Sequence, residues 1–142
     1  MYSQHHRGTQ ETPGLVLGLD AGGQCFGIAF RIAPNNWSSV CSYLNQRELI
    51  GNYAYMPKVV KVMLAKGPVA ALTYLSNPEH PNYAGPLPIE TAVAVIMRAS
   101  GVSGSNRDYL IKLVRKLKSL GYHDSEIHTL LRHIERTAEN DG

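Results

Sequence analysis

The chain has 142 residues, of which 44% are hydrophobic and 18% charged, a composition that fits one compact domain over residues 1–142. Its 14 basic and 11 acidic side chains give a net charge of +3, too small by itself to indicate nucleic-acid binding. No run approaches 18 apolar residues and the N-terminus has no apolar signal core, so we expect a cytoplasmic protein.

The cysteines and histidines do not follow metal-binding patterns. Cys25 and Cys41 lie in strand-like and helix-like stretches, where we expect small buried hydrophobes in a reducing compartment. His123, His128 and His133 are spaced by five, which turns successive side chains of a helix apart by about 140°. Zinc-binding pairs four residues apart share one face. We therefore predict no metal site and no cofactor.

The first half of the sequence has the pattern of two hairpins on either side of one helix. Apolar strand-like stretches are joined in each case by a glycine-containing turn. Pro34-Asn35-Asn36 breaks the pattern between the hairpins and offers an Asn N-cap to a helix that leads to Glu48. The predicted strand pairs are 15–19 with 25–32, and 58–64 with 69–75.

The second half is predicted to be a stiff loop followed by three helices. Residues 76–88 contain four prolines, which exclude an interior strand or helix. A helix with its apolar stripe at helical spacing then begins at Pro88, a second is capped by Ser105, and a third is opened by Asp124 or Ser125. The predicted inward residues are Ile89, Ala92, Val93, Ile96, Met97, Tyr109, Leu110, Leu113, Val114, Leu117, Ile127, Leu130, Leu131 and Ile134.

Basic side chains follow the opposite face of the second of these helices, over residues 107–118. Such a stripe could track phosphates, and a nucleic-acid module would then bind with steep salt dependence. Exposed aromatic residues do not alternate with these charges, so we favour a solvated amphipathic face and no nucleic acid as partner. The basic residues are Arg107, Lys112, Arg115, Lys116 and Lys118.

Glu48 is the leading catalytic candidate, within the stretch of residues 43–53. The helical pattern of Trp37, Val40, Cys41 and Leu44 places Glu48 on the same face as Leu44. A carboxylate turned inward at a helix C-terminus meets the negative end of the helix dipole and partial burial, which both disfavour its charged form. A general base is tuned in this way. The alternative is a solvated glutamate paired with neighbouring Arg47.

Taken together, several short motifs make the chain similar to the ChaC-like, glutathione-specific γ-glutamylcyclotransferase family. The resemblance runs in order over nearly the whole chain. It implies an α+β fold, a small mixed β-barrel or sheet with flanking helices. The motifs are Arg7-Gly8-Thr9, Pro13-Gly14-Leu15-Val16-Leu17, Gly27-Ile28-Ala29-Phe30, Tyr43-Leu44 with Arg47-Glu48, Asn82-Tyr83-Ala84-Gly85-Pro86-Leu87, Gly101 with Ser103-Gly104-Ser105-Asn106, and Asp108-Tyr109-Leu110.

The resemblance also implies a reaction and its residues. Glutathione would be cut without water to 5-oxoproline and Cys-Gly, with Glu48 as the catalytic base. Gly104, Asn106 and Tyr109 match the family's substrate-side loop, and Tyr83 would line the pocket with them. The partner would be a small molecule, without nucleic acid or membrane, and the sequence does not indicate an oligomeric state.

The sequence departs from the family at its start. Members begin with a strand and a Tyr-Gly-Ser-Leu loop whose backbone amides hold the glutamyl group, and the printed sequence lacks that loop. We therefore expect an N-terminally incomplete domain, either a shortened product or one whose start has been assigned too late. Weak activity and self-association would follow. The main alternative is a catalytically impaired relative that binds a γ-glutamyl ligand or a protein partner.

Overall fold

The computed structural model describes residues 1–49 and 54–140, which form four α-helices and three two-stranded antiparallel sheets. The α+β class is confirmed, and the strands of the described residues do not close into a barrel. The elements in chain order are β1 (Tyr2–Ser3), β2 (Gly14–Leu15), α1 (Trp37–Glu48, preceded by a 3₁₀ turn at Pro34–Asn36), β3 (Tyr55–Leu64), β4 (Gly67–Ser76), α2 (Ile89–Arg98), β5 (Ser100–Gly101), β6 (Gly104–Ser105), α3 (Asn106–Ser119) and α4 (Ser125–Asn140).

The chain divides into two compact units. Unit 1 joins residues 1–17 to residues 84–142, and unit 2 comprises residues 18–83. The arrangement within each unit is described below, and a single domain over the whole chain stays a prediction.

The hydrophobic core lies in unit 1, between α2, α3 and α4. Val93 and Ile96 of α2 pack with Leu110 and Val114 of α3 and with Ile134 of α4. These residues recur at intervals of three and four, so each helix turns one apolar stripe inward. The inward faces predicted for the three helices are confirmed by this cluster and by the apolar residues packed around it, which are Leu15, Ile89, Met97, Leu113, Ile127, Leu130 and Leu131.

The ends of α3 and α4 follow their sequence signals. The Ser105 hydroxyl accepts a hydrogen bond from the Asp108 N–H at 3.1 Å, which confirms Ser105 as the cap of α3. Past the end of α3, Gly121 has a φ of +77°, a backbone conformation that a side chain would disfavour. The carboxylate of Asp124 accepts from the Ile127 N–H at 2.9 Å and begins α4.

Glycines let the N-terminal segment of unit 1 pack closely on itself. β1 pairs with β2, Tyr2 opposite Leu15. A Cβ added at Gly8 would lie 2.1 Å from the Gly14 nitrogen, and a Cβ added at Gly14 would lie 2.1 Å from the Arg7 carbonyl oxygen. Since no real side chain tolerates such distances, the Arg7-Gly8 and Pro13-Gly14 motifs have a packing reason.

Unit 2 is built on one long hairpin. β3 and β4 pair antiparallel over ten residues each, from Tyr55 opposite Ser76 to Leu64 opposite Gly67. Gly67 has a φ of +116°, which the tight turn requires. The hairpin predicted for 58–64 and 69–75 is confirmed and extends further at both strand ends.

The other predicted hairpin, 15–19 with 25–32, is wrong. Leu15 pairs with Tyr2, and Leu19 accepts a hydrogen bond from the Ser76 N–H at 2.7 Å in an isolated parallel bridge beside β4. With those backbone groups engaged elsewhere, residues 25–32 form no strand. Cys25 is accordingly exposed, contrary to prediction, while Cys41 is half-buried.

The helices that the structure describes, in residues 1–49 and 54–140, include none with both the length and the apolar character to cross a membrane.

Candidate active site

Glu48 is the last residue of α1, as predicted. The half-buried residues of this helix are Val40, Cys41, Leu44 and Glu48, so the predicted inner face is confirmed, while Trp37 is half exposed instead of inward. The Glu48 side chain is 23% exposed. The predicted stretch of residues 43–53 continues into residues 50–53, which lie outside the described residues.

An ion pair with Arg47 holds the Glu48 carboxylate. Nε of Arg47 donates to Oε1 of Glu48 at 2.7 Å, and Nη2 donates to the same oxygen. The guanidinium also lies over the ring of Tyr43, 5.7 Å from its centroid. The hydrogen bond to Glu48, followed by that to Tyr43, raises the pKa of Arg47 above its ordinary value. The alternative pairing of Glu48 with Arg47 is therefore observed, on a side chain that is mostly shielded.

Helix α1 is fixed to the hairpin by a tyrosine of β4. The Tyr74 hydroxyl donates to Oδ1 of Asn45 at 2.7 Å, three residues before Glu48. Burial, followed by the charges of Cys41 and Glu48, raises the pKa of Tyr74. The hydrogen bond fixes the C-terminal half of α1, and with it the backbone of Glu48, on one face of the hairpin.

Tyr83 lies beside a cavity at the end of the hairpin where β3 begins and β4 ends. Its hydroxyl donates to Oδ2 of Asp20 at 2.8 Å, and this hydrogen bond raises the pKa of Tyr83. Both residues line a cavity of about 410 Å³ whose wall includes Leu75. Because neighbouring residues of a strand point to opposite faces, Leu75 and Tyr74 face different ways. The predicted contact of Tyr83 with a substrate stays a prediction.

In unit 1, Gly104 and Tyr109 meet around Arg7. The guanidinium of Arg7 donates through Nη1 to the carbonyl of Ser103 and to that of Ser105 at 3.5 Å, and it lies 5.4 Å from the Tyr109 ring centroid. Gly104 has a φ of +97°, and a Cβ there would come 3.5 Å from the Arg7 Nη1. The predicted loop residues are thus assembled around a cation that the sequence reasoning did not assign to the site.

The position of Arg7 had one possible signal in the sequence. Arg7 precedes Gly8, which is buried, in an otherwise polar leader. The backbone just before it is tied to the same loop, since Val102 and Ser103 donate to the carbonyls of His5 and His6 at 3.0 Å. An arginine directly before a glycine was the only local sign of a fixed side chain, and it does not indicate the partner almost a hundred residues away.

Asn106 has a structural task at the start of α3. Its side chain is completely buried. Oδ1 accepts from the Leu15 N–H at 2.6 Å, and Nδ2 donates to the Leu15 carbonyl at 2.7 Å. Tyr109, one turn further along, accepts from the Leu17 N–H at 3.1 Å. These bonds tie α3 to Leu15 of β2 and to Leu17, and a direct contact of Asn106 with a substrate stays a prediction.

Within residues 1–49 and 54–140, no three His, Cys, Asp or Glu side chains are grouped so that they could hold a metal ion. The basic residues of α3, Arg107, Lys112, Arg115, Lys116 and Lys118, are all exposed on its outer face.

Fold and site together define an α+β protein with a carboxylate, held by an arginine, at the end of a helix. The family model described as ChaC-like protein matches residues 1–137. The chain therefore belongs to the ChaC-like family.

Curated relatives carry consistent names. The chain is 32% identical over 136 residues to a glutathione-specific γ-glutamylcyclotransferase of Escherichia coli, covering 94% of this chain and 58% of that protein. It is 32% identical over 127 residues to glutathione-specific γ-glutamylcyclotransferase 1 of Homo sapiens, covering 87% and 57%. It is 32% identical over 148 residues to γ-glutamylcyclotransferase 2-3 of Arabidopsis thaliana, covering 96% and 74%. The chain thus spans under three fifths of the length of the first two.

The fold is also similar to a crystal structure of the γ-glutamylcyclotransferase specific to glutathione from yeast. The TM-score is 0.73 at 20% sequence identity, with 96% of this chain and 83% of that chain covered. This likeness confirms the predicted fold.

Proposed function

We propose that this chain carries the catalytic base of a γ-glutamylcyclotransferase that acts on glutathione. The observation that carries the proposal is Glu48, a mostly shielded carboxylate on the inner face of α1, in a chain of the ChaC-like family. The names of the relatives support glutathione as the substrate.

The proposed reaction is an intramolecular transfer without water. Glu48 takes a proton from the α-ammonium of the γ-glutamyl group, and the freed amine attacks the γ-carbonyl carbon. A new C–N bond closes the five-membered ring while the C–N bond to cysteine breaks. The proton held by Glu48 passes to the departing amine, and the second proton that the ring nitrogen loses follows through the same carboxylate, so that Cys-Gly leaves as its ammonium form. The products are 5-oxoproline and Cys-Gly, and the carboxylate is regenerated.

Ring closure explains why so few protein groups are needed. Holding the amine and the carbonyl of one molecule in attacking geometry is worth effective molarities of about 10⁵ M or more. Proton transfer by a positioned carboxylate adds about 10²-fold to 10⁴-fold. Gly104, Asn106 and Tyr109 of unit 1 are proposed as substrate residues, Asn106 by fixing the backbone of Leu15, and Tyr83 of unit 2 is proposed as a further one. The reaction is proposed to take place in the cytoplasm.

The test combines product analysis with a matched substitution. Purified chain is incubated with glutathione, and 5-oxoproline and Cys-Gly are quantified by mass spectrometry. Glu48→Gln keeps the shape of the side chain and removes the base, so product formation should fall to background. Glu90→Gln, at an exposed glutamate in the first turn of α2, should retain the parent rate. Product formation by Glu48→Gln at the parent rate would contradict the proposal.

A second candidate function is binding without turnover. It is favoured by Asn106, which is completely buried and whose two amide atoms both bond to Leu15, so that this predicted substrate residue is engaged in holding the backbone. Calorimetry with glutathione distinguishes the two functions. Saturable binding with no product over a long incubation identifies an impaired relative, and binding with product supports the enzyme. If glutathione neither binds nor gives product, both candidate functions are contradicted.

A further inference from the structure

Arg47 contacts Glu48 asymmetrically. Both guanidinium donors, Nε at 2.7 Å and Nη2, bind the single oxygen Oε1. Within the described part of the chain, no hydrogen bond reaches Oε2 of Glu48. The carboxylate therefore has one oxygen held by the protein and one available for chemistry.

The guanidinium is itself held in place. It lies over the Tyr43 ring at 5.7 Å, and the turn that carries both residues is fixed to β4 by the hydrogen bond of Tyr74 to Asn45. Side chains of adjacent helical residues diverge by about 100°, so Arg47 reaches Glu48 only by folding back across the end of the helix. The stacking on Tyr43 favours that folded conformation.

We propose that Arg47 is a positioning residue for Glu48, which fixes the carboxylate through Oε1 and leaves Oε2 as the oxygen that takes the substrate proton. This inference rests on the proposed function, in which Glu48 is the base. Arg47 has no direct part in bond making: its positive charge attracts the carboxylate and its planar fork keeps the carboxylate oriented.

Two substitutions separate orientation from charge. Arg47→Gln removes both. Arg47→Lys keeps a positive charge but replaces the planar fork by a single ammonium, which cannot present two fixed donors to one oxygen. The control is Arg98→Gln, at the exposed last residue of α2, where an arginine ends a helix of unit 1.

The expected kinetic effect is on turnover. A misplaced base costs about 10-fold to 10²-fold in kcat, while KM stays within about twofold because ground-state binding is untouched. Arg47→Lys keeps the charge but not the fork, and it recovers only part of kcat. Arg98→Gln leaves kcat and KM unchanged.

A readout independent of turnover is the Nε–H signal of Arg47 in ¹⁵N NMR. Because a carboxylate holds this hydrogen, it should exchange with water about tenfold more slowly than the Nε hydrogen of Arg98 in the parent chain. In Glu48→Gln the carboxylate is gone, and the two hydrogens should exchange at the same rate. Equal exchange rates of the Arg47 and Arg98 Nε hydrogens in the parent chain would overturn the proposal. A kcat of Arg47→Gln equal to that of the parent chain would also overturn it. A rise in KM without a fall in kcat also overturns it, because Arg47 would then bind substrate directly.

Failure of the proposed function can be distinguished from failure of the Arg47 proposal. If Glu48→Gln keeps full turnover, Glu48 is not the base, whatever the state of the ion pair. If Glu48→Gln is inactive while Arg47→Gln is fully active, the base stands and the positioning role is refuted.

Discussion

At the scale of single residues, the close packing around Gly8 is the sharpest constraint in unit 1. A Cβ at Gly8 would lie 2.1 Å from the Gly14 nitrogen and 2.5 Å from the Thr12 carbonyl oxygen, backbone atoms that cannot move aside cheaply. Gly8→Ala should therefore lower the free energy of unfolding by about 3 kcal/mol in urea titrations. Gly27→Ala is the control: its Cβ would meet nothing within 4 Å. Equal stability of the two variants would refute the packing argument.

The Tyr83–Asp20 pair makes a prediction about pH. The hydrogen bond to Asp20 raises the pKa of Tyr83, so whatever stability it supplies is present at neutral pH and is lost as the pH rises through the folded-state value. In Asp20→Asn the carboxylate is gone, and the Tyr83 phenol should titrate at lower pH, as followed by ¹³C NMR of the labelled ring. Asp108→Asn, on α3, should not change it. An unchanged Tyr83 titration in Asp20→Asn would show that the bond is absent in solution.

The sequence predicted only part of the candidate site. Glu48 could be placed on the inner face of α1 because helical spacing is local. The bonds of Asn106 to Leu15 span 91 residues, and no local pattern contains such a contact. Arg7 was missed for the same reason, since its partners follow residue 102.

At the scale of elements, α4 packs on the core of unit 1 around Ile134. Ile134 is completely buried against α2 and α3 in the core of unit 1. Ile134→Ala should destabilise the chain by about 2–5 kcal/mol, from lost burial and the cavity left behind, as measured by thermal and urea unfolding. Val102→Ala, at a valine that is 71% exposed in the same unit, should change stability by less than about 0.5 kcal/mol. Comparable losses would mean that α4 is not docked through Ile134.

Helices were predicted better than strands for a physical reason. A helix satisfies its own backbone, so the stripes and caps of α2, α3 and α4 suffice to locate it. A strand needs a partner strand, and the alternation of apolar and polar residues does not identify which segment pairs with it. Residues 58–75 contain both partners and their turn, and that hairpin is confirmed. In residues 15–19, Leu15 pairs instead with β1 and Leu19 forms a bridge to Leu75 of β4. Residues 25–32 therefore have no strand partner there.

At the scale of the whole molecule, burial is unevenly divided. Every buried hydrophobic residue of the described chain lies in unit 1, whereas in the described part of unit 2 only Ser76 is buried. Backbone amides exchange their hydrogens with water faster in segments whose local opening exposes few buried apolar contacts. Hydrogen exchange followed by mass spectrometry should therefore show slow amides in α2 and α3 and faster ones in β3 and β4. Equal protection, or the reverse order, would contradict this division.

The family, the fold and Glu48 lead to one chemical claim, that the γ-glutamyl bond is broken by cyclisation. The most direct measurement is mass spectrometry of the products formed from glutathione in ¹⁸O-labelled water. The account predicts unlabelled 5-oxoproline and Cys-Gly in equal amounts, both lost in Glu48→Gln. Labelled glutamate in place of 5-oxoproline would show hydrolysis and contradict it.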